Sequence, residues 1–139
     1  MTSYVRHVAH RKSKIGGVRS GMQTYEVLAR ACHASGGRSL FTIMGDGNKL
    51  WLVAAARHGI RLYHVRHEGA GLAMADGFAR ATGEVGLCSV TYSAGLTQLT
   101  TSLMVAARHR TPLVVVAGDL PVAQRGSGNQ IDLDQAALV

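Results

Sequence analysis

Four short apolar runs alternate with segments of helical period along this chain, and that alternation constrains its fold more than any other feature. The runs are Ser39 to Met44, Ile60 to Arg66, Val85 to Thr91 and Pro112 to Ala117. Between them lie segments with helical character. Gln23 to Ser35 carries Val27, Leu28, Ala31 and Ala34 in step, and Lys49 to His58 carries Leu50, Val53, Ala54 and Arg57. A small-residue helix runs from Glu68 to Thr82, and a long one from Ala94 to His109. Gly36-Gly37, Gly59 and Gly83 supply the stops. Strands of Val, Ile and Leu character separated by helices predict an α/β fold, a parallel sheet with helices on both faces. Right-handed crossovers then bring every strand's carboxyl end to one edge. After Pro121 a polar, Gly-rich stretch leads to Asn129, and Ile131 to Val139 is expected to start another helix.

Composition narrows the function classes. The chain has 139 residues, 47% hydrophobic and 17% charged, which suits one globular domain. The net charge of +7 is concentrated at the start. Residues 1–21 hold Arg6, Arg11, Lys12, Lys14 and Arg19 with no acid, leaving ten basic and eight acidic residues elsewhere. The body is therefore not a basic nucleic-acid surface. The first 21 residues lack an apolar core for a secretory signal and read as a disordered leader, although their Arg content also suits a transit peptide. The domain is expected over residues 22–139, with Met22 a plausible alternative first residue. No run is long and apolar enough to span a membrane. Cys32 and Cys88 lack metal or redox spacing and read as buried thiols of a reducing compartment, which implies a cytoplasmic location.

Arg66-His67-Glu68 joins the second apolar run to the small-residue helix. Glu68 is thereby placed at a strand's carboxyl end and in the first turn of a helix. Ligands of open α/β sheets bind at that edge, and a carboxylate there faces the positive end of the helix dipole. Two readings follow: a first-turn acid that only complements the dipole, or an acid placed for proton work.

The segment from Arg66 to Gly83, RHExxxAxMADGFARATG, resembles the stretch that carries the essential glutamate of thiamine-diphosphate enzymes of the acetolactate synthase type. Val90 to Gln98, VTYSAGLTQ, lies where that family has a Gly-Pro-Gly turn, and Thr111 to Pro121 looks like its next strand and loop. From about Thr24 to Asp134 the chain is similar to the family's pyrimidine-binding (PYR) domain, stopping before that domain's last elements.

The resemblance implies thiamine diphosphate as cofactor, bound between a PYR domain and a pyrophosphate-binding (PP) domain that holds Mg²⁺ and the phosphates. Glu68 would share a proton with the pyrimidine nitrogen N1′ and so assist deprotonation of thiazolium C2, opening chemistry on 2-keto acids. Gly45, Ser93, Gly95 and Gln98 are the further candidates for cofactor contact. Ser93-Ala94-Gly95 departs from Gly-Pro-Gly, and Gln98 replaces the usual Asn, which puts the contacts near the thiazolium in question. Gln130 is a candidate for a shifted family glutamine. FAD is left open, because the region contacting it in the family would lie beyond Val139. The PP domain would come from another chain or from sequence beyond this one, and a homo-oligomer is expected, with no nucleic-acid or membrane partner. The competing reading is a catalytically silent domain acting only in subunit association.

Three motifs read as decoys. Gly45-Asp46-Gly47 looks like the start of the family's Mg²⁺-diphosphate motif, but Ala73 to Gly77 lacks the Asn that should follow, so a turn is expected. Gly69-x-Gly71 opens a helix as a dinucleotide fingerprint does, but Met74 stands at the third glycine position. His64-x-x-His67-Glu68 has zinc-like residues, but a spacing of three near a strand end points side chains to opposite faces. No metal site is expected in this chain.

Overall fold

The computed structural model describes residues 21–139, so the expected leader, apart from Gly21, lies outside the described residues. Four parallel strands form one sheet: β1 (Ser39–Thr42), β2 (Arg61–His64), β3 (Gly86–Val90) and β4 (Leu113–Ala117), in the order β2-β1-β3-β4. The helices are α1 (Thr24–Ala34), α2 (Lys49–Arg57), α3 (Glu68–Thr82), α4 (Ala94–Thr97) and α5 (Thr100–His109). The predicted α/β architecture is the observed one.

Side-chain alternation along the strands divides the core in two. Leu40 and Leu87 join Ala29, Trp51, Leu52, Ala54, Ala55 and Ile60 on the face covered by α1 and α2, with Val114 and Val116 at its margin. Phe41, Cys88 and Val90 point the other way, to Leu72 and Ala75 of α3 and to Leu96 and Leu99. All residues of β1 and β3 are buried, which is why both read as continuous apolar runs. The outer strand β2 is largely exposed, and Tyr63 covers part of the edge by stacking on Phe41 with ring centroids 5.0 Å apart.

The helix ends follow the sequence signals. Gly83 caps α3 in the left-handed conformation, φ 73°, with its N–H donating to the Ala79 carbonyl. His67 caps the other end, its Nδ1 accepting from the Gly69 N–H at 3.1 Å. Two expectations need correction. The long helix from Ala94 is split into α4 and α5, because the chain tightens at Leu99, whose N–H reaches back only three residues to Leu96. The helix expected from Ile131 is a single 3-10 turn, Gln135–Ala137. Residues 121–130 are exposed throughout and the stretch after them is mostly so, and a short helix without a packed face is not stable by itself.

Candidate active site

Because every strand is parallel, the carboxyl ends of all four meet at one edge. Four loops rise from it: Ile43 to Asn48 after β1, Val65 to His67 after β2, Thr91 to Ser93 after β3, and the stretch from Gly118 after β4. The strand order reverses between β1 and β3, where a doubly wound sheet usually opens a ligand crevice. Here the chain fills that crevice itself. The buried Asn48 donates from Nδ2 to the Ile43 carbonyl at 3.0 Å and to Ser89 Oγ at 3.2 Å. Its Oδ1 accepts from the Gly45 N–H at 2.8 Å. Thr42 Oγ1 donates to the Ser89 carbonyl at 2.7 Å, and the Gly47 N–H donates to Thr91 Oγ1 at 3.2 Å.

Gly45 lies within this seam. A β-carbon there would stand 2.8 Å from the Thr91 β-carbon, so packing against the loop after β3 already requires a glycine. The neighbouring Asp46 pairs with Lys49 at 2.8 Å on the surface, and that hydrogen bond and charge hold its carboxyl below the usual range. Residues 46–48 form the turn that the sequence suggests.

The closed seam leaves Glu68 at the open part of the edge. It is the first residue of α3, four positions after the last ladder pair of β2, and it is half-buried. Among the described residues its carboxylate has no hydrogen-bond or ion-pair partner. The fifteen-residue α3 turns its positive end toward it. The first turn of α3 also touches the helix that follows β3: Ser102 Oγ donates to the Gly69 carbonyl at 2.9 Å, and a β-carbon at Gly69 would stand 2.9 Å from the Gln98 carbonyl. Gln98 thus approaches α3 through its backbone, and its residue is exposed. His64, His67 and Glu68 do not assemble a metal site: among the described residues no three His, Cys, Asp or Glu side chains converge on one.

Ser93 occupies the first position of the turn after β3, with φ 53° and ψ −109°. That is close to the first central position of a type II′ turn, where glycine dominates. The Gly95 N–H closes the turn on the Tyr92 carbonyl at 3.2 Å. Ser93 therefore keeps a glycine-like backbone at the place where the resembled Gly-Pro-Gly has its first Gly. Its N–H donates to Gln135 Oε1 at 2.8 Å, and Gln135 Nε2 donates to the Gly118 carbonyl at 2.9 Å.

Gln135 and Asn48 are the residues that sequence reasoning missed. Asn48 had a signal, an Asn at the end of a Gly-x-Gly turn and the start of a helix. Gln135 had none, because its position depends on how the last segment returns over the sheet. Gln130, the glutamine singled out from sequence, is exposed and makes no side-chain hydrogen bond among the described residues. Gln135 reaches the edge instead.

Comparisons with known proteins bear on the family and the fold. Residues 22–138 match the family model described as thiamine pyrophosphate enzyme, N-terminal TPP binding domain. The chain is 38% identical over 113 residues to 2-hydroxyacyl-CoA lyase 2 of Xenopus laevis, covering 81% of this chain and 17% of that protein. It is 30% identical over 119 residues to the acetolactate synthase large subunit of Mycobacterium tuberculosis, covering 85% and 22%. Among solved structures, the thiamine diphosphate-dependent 4-hydroxybenzoylformate decarboxylase of Rhodococcus jostii superposes with a TM-score of 0.76 at 27% identity, covering 84% of this chain and 22% of that one. The chain thus spans about a fifth of the length of these relatives.

Proposed function

This chain belongs to the thiamine pyrophosphate enzyme family, as its N-terminal TPP binding domain, and from that premise we propose that it is the aminopyrimidine-binding part of a lyase or transferase in which Glu68 activates the cofactor. The observation that carries this reading is the half-buried, unpartnered carboxylate of Glu68 at the carboxyl edge. A partly desolvated acid without a protein partner fits a ring nitrogen that must share a proton.

When bound, thiamine diphosphate supplies a carbon nucleophile that adds to a carbonyl and stabilises the charge left when a neighbouring bond breaks. The protein's work is to orient and to hold a proton. Glu68, the first residue of α3, would hold a proton against N1′ of the aminopyrimidine. Ser93 and Gly95 would help to hold the cofactor through the backbone of their turn, and Gln98, after α4, is a further candidate for contact. A hydrogen bond with an ionised partner contributes roughly 1.5–3 kcal/mol. Because that contact assists deprotonation, it acts on rate more than on affinity.

The remaining parts of the site belong to a partner. A PP domain, in another chain or in a longer form of this one, would hold Mg²⁺ and the diphosphate, in a homo-oligomer or a pair of unlike chains in the cytoplasm. The names of the relatives point to substrates that carry a carbonyl or a hydroxyl beside an acyl group: 2-keto acids, or 2-hydroxyacyl thioesters.

The test is C2 hydrogen–deuterium exchange of bound thiamine diphosphate, followed by NMR in the chain combined with a PP domain. Glu68→Gln keeps the shape and loses the acid. Exchange and turnover should fall steeply while cofactor affinity changes little. Equal exchange in both proteins would leave a domain acting only in subunit association.

A further inference from the structure

Gln135 ties two loops of the carboxyl edge with one carboxamide. Its oxygen takes the Ser93 N–H and its nitrogen gives to the Gly118 carbonyl. Ser93 is one of only two non-glycine residues with positive φ among those described. The other, Arg110, ends α5 in an ordinary left-handed cap, φ 54° and ψ 37°. Ser93 has no such excuse. Its ψ of −109° lies outside the left-handed helical region, where a β-carbon is strained.

A strained backbone of this kind persists only where its surroundings over-determine it. The Gly95 to Tyr92 hydrogen bond closes the turn from within, but that bond alone does not choose Ser93's conformation. The Ser93 N–H is aimed at Gln135, and flipping the Tyr92–Ser93 peptide would break that contact. The Gly118 end is itself fixed, because Gly118 is packed against the backbone of Gly47. The carboxamide therefore references the strained turn to the rigid seam between β1 and β3.

We infer that Gln135 is a positioning residue: it holds the Ser93 turn in the glycine-like conformation that faces the cofactor. The cofactor-facing role of that turn rests on the function proposed above. The conformational claim does not, and it can fail alone.

Residue-resolved amide hydrogen exchange on the 139-residue chain without cofactor tests it. The reporter is the Gly95 N–H, which is protected only while the turn is closed on Tyr92 and which Gln135 does not touch. In Gln135→Ala its exchange should accelerate roughly five- to tenfold, the size of one net hydrogen bond. Amides of β3 should keep their protection, which shows that the fold is intact. Ser93→Gly removes the strain, so in Gln135→Ala/Ser93→Gly the Gly95 amide should return near its wild-type rate. An unchanged Gly95 rate in Gln135→Ala overturns the inference. So does an acceleration that Ser93→Gly fails to reverse, since Gln135 would then support the segment and not the conformation. Loss of the C2-exchange effect at Glu68 would instead remove the proposed function and leave the Gln135 result standing.

Discussion

Gly118 and Gly47 meet backbone to backbone over the end of β3: a β-carbon on Gly118 would stand 2.5 Å from the Gly47 carbonyl oxygen. The loops after β1 and β4, which are not neighbours in the sheet, touch because Gly118 has no side chain, while a β-carbon on Gly47 would instead run into the Tyr92 ring. Gly118→Ala should force them apart and lower stability by about 1–3 kcal/mol, as overpacking does. Gly77 is the contrast, an exposed position inside α3 with open space where a β-carbon would go. Gly77→Ala should raise stability by about 0.5–1 kcal/mol. Urea unfolding of the two variants checks both signs.

Asp76, buried in α3, carries a pH dependence. Burial works against its ionisation, but the neighbouring Thr111 hydroxyl, the Arg80 guanidinium and the charge of His109 outweigh that, and its carboxyl lies below the ordinary range. Arg80 Nε donates to its Oδ1 at 3.0 Å. A carboxylate with a depressed folded pKa stabilises fully above its ordinary value of about 3.9. That contribution is lost as the pH falls from there through the depressed value. Asp76→Asn should therefore lose stability near neutral pH, and the gap to wild type should close as the solution is acidified below about 3.9. Unfolding midpoints that stay equally far apart at pH 6 and pH 2.5, on the order of those values, would contradict this.

Cys88 lies in the centre of β3, and burial pushes its thiol up to about 12. Cys32 on α1 is raised by the same cause, with partial exposure. The thiolate is the reactive form. Iodoacetamide at mildly alkaline pH should leave Cys88 unmodified in the folded chain and label it only on unfolding, with Cys32 labelled slowly while folded and as readily as Cys88 once unfolded. Mass spectrometry of the alkylated peptides decides it, and rapid native labelling of Cys88 would show that β3 opens.

How far the sequence reveals this molecule can be judged from particular residues. β1 and β3 were plain as apolar runs because both of their faces are buried, and Gly83 ended α3 because left-handed backbone suits glycine. Glu68 was recognisable from the strand–helix junction around it. The break at Leu99 was not, because helix periodicity does not register a local tightening of one hydrogen bond. The packing of Gly45 on Thr91 joins residues far apart in sequence and leaves no mark on the local pattern. Gln135 was hidden for the same reason. Local pattern specifies elements, while the residues that join loop to loop are defined only once those elements are placed.

Both edges of the sheet are unpaired among the described residues. β4 presents Leu113 to Ala117 without a charge to blunt its free edge, and Met104 and Val105 of α5 are exposed nearby in sequence. The isolated chain should self-associate. Sedimentation at micromolar concentration checks this, and a well-behaved monomer would count against it.

The hydrogen bond from Thr42 to the Ser89 carbonyl spans 47 residues of chain. Its consequence lies in time. β1 is made early but needs partners on both sides, and the second of them emerges only after two helices and β2 have been synthesised. Until then one edge of β1 is unpaired, and Thr42 and Asn48 lack their hydrogen bonds to Ser89. Non-local parallel pairing of this kind is slow, since loop closure must precede the contacts that reward it. The seam that shuts the crevice is therefore also the step that commits the chain to its fold, and substitutions at Thr42, Asn48 or Ser89 should slow refolding more than their distance from Glu68 would suggest.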